Sequence, residues 1–210
     1  DEIRPEFGWN PNGGPDGKGA FVIKADDRAG LAGHWQTTIS VEGGQYHRFS
    51  AMRRATGVDL VRRAGAARIT WLNAEGQRVR HDKPSFASYR PGERPRAEPE
   101  FPRDHETSNG WTEVADTFFV PKEATQAIVE LHFRWGPPQS SIEWANVSLK
   151  KTDAPKPRVV RLATVHYQPR EGKTPQDKRE LFAQFIEQAA AEKADLVVLP
   201  ECLTYYGTGL

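Results

Sequence analysis

The sequence predicts a mainly β protein: a β-sandwich over residues 1–152, followed by the start of an α/β unit over 158–210. Three observations predict it. Apolar and polar positions alternate with period two in seven stretches between residues 19 and 150. Turn-forming residues separate those stretches. Beyond a proline-bearing linker the periodicity becomes helical.

The alternating stretches are Gly19–Ala25, His34–Val41, Gln45–Arg53, Ala67–Leu72, Thr112–Val120, Gln126–Arg134 and Ser141–Lys150. Alternation turns one face of a strand toward a core and the other toward water. Glu42-Gly43-Gly44, Asn73 to Gly76, Pro121-Lys122-Glu123 and Gly136-Pro137-Pro138 supply the turns. Short strands with no long helix among them point to a sandwich, and this length can bury a core of its own. The proline-rich, charged stretch Lys83–Gly110 breaks the rhythm and reads as one long loop, either a surface excursion or a ligand-shaping segment.

Residues 153–157 form a linker: the surrounding "KTDAPKP" has two prolines and no large apolar residue to start a core. Val159–Val165 then reads as a buried strand. Thr174 is placed to cap a helix, with Pro175 at its first position and Asp177 completing a spacing like that of a capping box. Leu181, Phe182, Phe185, Ile186, Ala189 and Ala190 share one helical face, and Lys178, Arg179, Gln184, Glu187 and Gln188 take the other. Leu196–Leu199 is a second strand. Strand, helix and strand make a parallel βαβ unit. About 50 residues so arranged leave a sheet face uncovered. Further chain or a partner must cover it, and pairing of two copies as a homo-oligomer is one way.

Composition narrows the function classes. A net charge of +1 gives no field that would select nucleic acid. A single cysteine excludes an internal disulfide framework and a multi-cysteine zinc site. No stretch approaches the ~20 apolar residues that span a bilayer as a helix. The start at Asp1, without methionine, suggests a mature exported chain, extracellular or periplasmic. His34, His47, His81, His105, His132 and His166 show no metal-ligand spacing, so no metal centre is expected from them.

Glu201 follows the second α/β strand. Ligands of open α/β sheets bind beyond the carboxyl ends of strands, and Pro200 ends the strand there. A carboxylate held partly out of water at such a rim gains basicity. The adjacent Cys202 points to the other face and reads as a small packing residue.

From Arg158 to Leu210 the chain resembles the N-terminal segment of the carbon–nitrogen hydrolase (nitrilase) superfamily. The resemblance lies in "RLATVHYQP", "KRELFAQFIEQAAAEKA" and "DLVVLPECLTYYGTG". It implies an incomplete nitrilase-like α-β-β-α sandwich in which Glu201 is the general base of a Glu-Lys-Cys triad. In that mechanism a thiolate attacks an amide or nitrile carbon, and a lysine stabilises the developing charge. An amide is the favoured substrate. No residue here matches the family lysine or cysteine, so these 210 residues are expected to be inactive alone. His166, at the end of the first α/β strand, is a candidate for support beside the site.

The first 150 residues resemble jelly-roll carbohydrate-binding-like modules with a galactose-binding-domain fold. The matching stretches are "GPDGKGAFVIKA", "HWQTTISVEGGQYHRFSAM", "GWTEVADTFFVPKEATQAIVELHF" and "SIEWANVSL". The resemblance implies stacking of sugar rings on exposed aromatics. Among Trp9, Trp35, Trp71, Tyr89, Trp111, Trp135 and Trp144, the expected exposed pair is Tyr89 and Trp9. Trp71, Trp111 and Trp135 are expected to pack or cap the core. The family's structural calcium would draw on Glu2, Glu6, Asp16 and glycine-segment carbonyls, since Ala145-Asn146 replaces the usual aspartates. The alternative to an enzyme fragment is therefore a non-enzymatic carbohydrate- or protein-binding module whose C-terminal segment is a docking element.

Overall fold

The computed structural model describes residues 2–84, 91–201 and 203–204. The chain folds as two compact units, Asp1–Pro155 and Lys156–Leu210.

The first unit is a β-sandwich. Its larger sheet has the order β1 (Glu6–Asn10), β2 (Ala20–Lys24), β9 (Ser141–Thr152), β4 (Tyr46–Thr56), β7 (Trp111–Phe119), β6 (Arg103–Ser108), with every pairing antiparallel. The smaller sheet is β3 (Leu31–Ser40), β8 (Gln126–Gly136), β5 (Ala67–Leu72). From β2 to β5 the chain alternates between sheets, as a jelly roll does, with the one-turn helix α1 (Val61–Ala64) on the way. Isolated bridges Ile69–Glu100, Leu72–Arg78 and Arg80–Arg96 extend the smaller sheet beyond β5.

Alternation along β4 shows why these residues form this core. His47, Phe49, Ala51 and Arg53 are buried, while Arg48 is exposed and Ser50 and Met52 half-exposed. Ile23, Ile69, Trp71, Phe133, Ile142 and Trp144 fill the space between the sheets. Arg53 is the unusual member. Its guanidinium donates to the Gly65 carbonyl at 2.8 Å and to Asp104 at 2.7 Å, and it lies over the Trp144 ring, so the buried charge is paired.

All seven predicted strands of the sandwich are present. Two more, β1 and β6, were not expected. β6 falls inside the stretch read as one long loop. Asn109 and Gly110 both adopt positive φ, 49° and 76°, and make the two-residue turn that folds β6 onto β7.

The second unit is a parallel βαβ. β10 (Leu162–Thr164) pairs with β11 (Leu196–Val198), and α2 (Pro175–Ala191) connects them. Thr174 caps α2 through a complete capping box: its hydroxyl accepts from the Asp177 amide at 3.1 Å, and Asp177 accepts from the Lys173 and Thr174 amides. These amide hydrogen bonds hold the Asp177 carboxyl below its ordinary pKa. Phe182 and Phe185 pack against Tyr167.

Two expectations fail here. Lys178 is fully buried, not on the polar face, because its ammonium caps the carbonyls of Pro169 and Glu171. The strands are shorter than expected and not buried: Val159 and Val160 precede β10 and are exposed, and Leu162, Leu196 and Val198 are exposed within the strands, since one helix cannot cover both faces of a two-stranded ribbon. No helix among the described residues is long and apolar enough to cross a membrane.

Candidate functional site

Strand β8 delivers the most unusual side chain of the sandwich. Leu131 and Phe133 point into the core, and strict alternation would send Trp135 the same way. The pairing with β3 shifts register here. Leu31 faces Gly136 and Gly33 faces Phe133, so two residues of β8 oppose one of β3. This is a β-bulge, which re-aims a side chain. Trp135 takes φ 48°, a left-handed conformation rare for a bulky residue, and is 61% exposed. The expectation that Trp135 packs or caps the core is thereby corrected. Gly136 lets the bulge close, because a Cβ there would sit 2.1 Å from the Phe133 ring.

Trp135 borders two grooves. One, of about 290 Å³, includes Val58, Leu60 and Pro137; the other, of about 300 Å³, includes Phe101, Pro102 and Asp104. Arg63 and Arg134 line both, and Arg62 lines the second. Arg63 lies over the Trp135 ring, 5.1 Å from its centroid. Among the described residues, Arg62, Arg63 and Arg134 make no ion pair, whereas Arg28, Arg48, Arg53, Arg54, Arg68, Arg94 and Arg103 each do. Exposed Phe101 adds a second aromatic surface. The site therefore offers an exposed indole with Arg63 over its ring, and three guanidiniums without carboxylate partners among the described residues.

No family model and no curated protein matches this chain. Solved structures do. The chain resembles the enzymatically active domain of tailspike protein 4 of bacteriophage CBA120, with 16% identity and a TM-score of 0.51. That match covers 70% of this chain and 18% of the tailspike, so the chain spans only a small part of that protein's length. It also aligns with a family 16 carbohydrate-binding module at 10% identity, over 69% of this chain and 85% of the module, with a TM-score of 0.45. A CBM4 structure aligns at 16% identity, over 71% and 80%, with a TM-score of 0.36. The likeness to the tailspike domain is one of fold.

A second cleft, of about 830 Å³, opens where Tyr46 and Phe119 meet the segments around His81 and Glu100. The Tyr46 and Phe119 rings contact edge to face, 5.2 Å apart. Burial raises the Glu100 pKa above its ordinary value, and Asp116 adds to the shift. The Trp71 indole, whose N–H makes no regular hydrogen bond, and His81 offset only part of it. Part of the stretch read as a long loop thus does line a cleft.

The outer face of the smaller sheet gathers His34, Glu130 and His132. Burial lowers the His132 pKa to about 4, helped by Arg134, so the ring is neutral at physiological pH. Burial would raise the Glu130 pKa, but the Arg68 guanidinium bound to both its oxygens brings it below the ordinary value. Histidine spacing along the chain carries no hint of this cluster.

The residues singled out from sequence are scattered. Trp9 is 54% exposed, at the edge of the larger sheet, and packs on Phe21 with ring centroids 5.0 Å apart. Phe21 continues to Trp35, and Trp35 to Phe7. Trp71, Trp111 and Trp144 are buried. Tyr89 and Cys202 lie outside the described residues. Glu201 is exposed, in a turn three residues after β11. His166 is exposed and borders a groove of about 350 Å³ with Phe185 and Glu192. Among the described residues, Glu2, Glu6 and Asp16 do not gather as ligands; Asp16 faces Lys18 at 3.2 Å.

Proposed function

We propose that the sandwich is a non-enzymatic carbohydrate-binding module in which a sugar ring stacks on Trp135. The observation that carries this reading is the bulge that holds Trp135 outward in a left-handed backbone conformation. Such strain costs on the order of 1–2 kcal/mol, and exposing an indole forgoes the burial of a large apolar surface. Both costs are explained if the ring has a ligand. The C–H face of a pyranose matches an indole face, and guanidiniums donate paired hydrogen bonds to hydroxyls and carboxylates. Arg62, Arg63 and Arg134 favour an acidic glycan such as a uronate-bearing polysaccharide.

Affinity electrophoresis against neutral and acidic polysaccharides tests this. Retardation by an acidic polysaccharide, lost in Trp135→Ala and kept in Trp9→Ala, is the expected result. Undiminished retardation of Trp135→Ala overturns the assignment to this groove.

A second reading concerns residues 156–210 alone. We propose that this βαβ is the opening of a carbon–nitrogen hydrolase domain with Glu201 as general base. Its parallel pairing, the position of Glu201 just beyond β11 and the uncovered apolar strand faces support that reading. Release of ammonia from simple amides by the full gene product, abolished in Glu201→Gln, is expected. Turnover unchanged by that substitution removes the assignment.

A further inference from the structure

The cluster on the outer face of β3 and β8 has the geometry of a small metal site. His34 and His132 are direct cross-strand partners, and their ring centroids are 4.8 Å apart. Glu130 lies two residues before His132, on the same face of β8. His34 Nε2 is 3.4 Å from Glu130 Oε1, and His132 Nε2 is 3.6 Å from Glu130 Oε2. One ligand atom from each residue lies within 4.8 Å of the others.

These distances discriminate. A good N–H···O hydrogen bond spans about 2.7–3.2 Å. Donor atoms bound at about 2.0–2.1 Å to one tetrahedral ion stand roughly 3.3 Å from each other. Both imidazole–carboxylate separations, each to a different oxygen of Glu130, are too long for the first and close to the second. His132 Nε2 adds an independent observation. Its side chain is 9% exposed, the atom has no hydrogen-bond partner, and it faces the carboxylate. A buried, unpartnered ring nitrogen is unusual in a folded protein and calls for an explanation.

We propose that His34, Glu130 and His132 bind one divalent transition-metal ion of the zinc class. Two imidazoles and a carboxylate suit Zn²⁺, Ni²⁺ or Cu²⁺ and not Ca²⁺ or Mg²⁺, which take all-oxygen shells. Arg68 grips the carboxylate through both of its oxygens and acts as a positioning residue. This fork-to-fork contact takes the facing lone pair of each oxygen, so the ion is met by the outer lone pair of one of them. The guanidinium charge also weakens cation binding, so micromolar affinity is expected rather than the far tighter hold of a structural zinc finger. His34, with a side chain 37% exposed, provides the way in and leaves a coordination position open to water.

Calorimetric titration of the chelator-stripped chain with ZnCl₂ tests the proposal. One ion per chain at micromolar affinity is expected, with Co²⁺ giving the visible absorption of a four-coordinate site. His34→Asn should weaken Zn²⁺ binding at least tenfold. His34 is exposed, so the variant should keep the wild-type unfolding midpoint, and that check separates lost ligation from lost folding. His166→Asn, in the other unit, should bind as wild type. Absence of a one-to-one micromolar event, unchanged affinity in His34→Asn, or loss of the site in His166→Asn each overturns the assignment.

Discussion

The two units place their apolar residues in opposite ways. In the sandwich, Phe49, Ile69, Phe133, Ile142 and Trp144 lie between two sheets and are almost fully shielded from water. In the βαβ, α2 buries Phe182 and Ala189, yet Leu162, Leu196 and Val198 face solvent from the strands. Both sets are made of strongly apolar side chains. What differs is the number of layers: a sheet is shielded on its apolar face only when a second layer lies against it. The sandwich has its second sheet, and the two-stranded ribbon has one helix.

All six tryptophans lie in the first unit, and the one long helix among the described residues lies in the second. Tryptophan fluorescence therefore follows the sandwich, and ellipticity at 222 nm largely follows α2. The largest expected effect is Phe49→Ala, at about 4 kcal/mol of sandwich stability from a fully enclosed cavity. Leu196→Ala should cost less than about 0.5 kcal/mol, because the side chain is already wet. A large loss in Leu196→Ala would break the contrast between the units. Thr174→Ala removes a complete capping box and should cost α2 about 1 kcal/mol, read at 222 nm with the fluorescence transition unmoved. Movement of both transitions together would show that the units unfold as one.

Within the sandwich, a smaller effect separates packing from ligand binding. Trp135→Gly should leave the urea midpoint no lower than wild type. Relief of about 1 kcal/mol of left-handed strain offsets the added freedom of glycine in the unfolded chain. A clear fall in the midpoint would mean that Trp135 packs the fold after all.

The least of these effects is one of pH. The folded pKa of Glu100 lies above its unfolded value, so its contribution to stability is complete below the ordinary 4.5 and is lost as pH rises through the folded value. Glu100→Gln keeps the neutral form at every pH. The variant should melt higher than wild type at pH 7, and the gain should vanish below the ordinary carboxylate range. Equal melting at pH 7 would mean that the cleft solvates the carboxylate fully.

Local signals translated into structure almost without change. Thr174, Pro175 and Asp177 predict a cap because every partner lies within four residues, and all the bonds form. The period-two stretches became strands for the same reason. Asn109-Gly110 was an equally local hairpin signal, but the prolines around it made the whole stretch read as a loop and hid β6. Lys178 was misplaced because its acceptors are carbonyls of the preceding loop, which helical periodicity does not describe.

The candidate sites depended on contacts between distant residues. Alternation alone turns Trp135 inward, and only the register of β8 against β3 creates the bulge that ejects it. His34 and His132 are remote in sequence and become neighbours because the same two strands pair. The sequence by itself determined the alternating strands, the capped helix, the change of grammar after the linker and the aromatic and charged residues available to bind. The tertiary structure alone decided which of them meet. Strand propensity and helix capping are set by neighbours along the chain, whereas register and bulges are set by pairing across it.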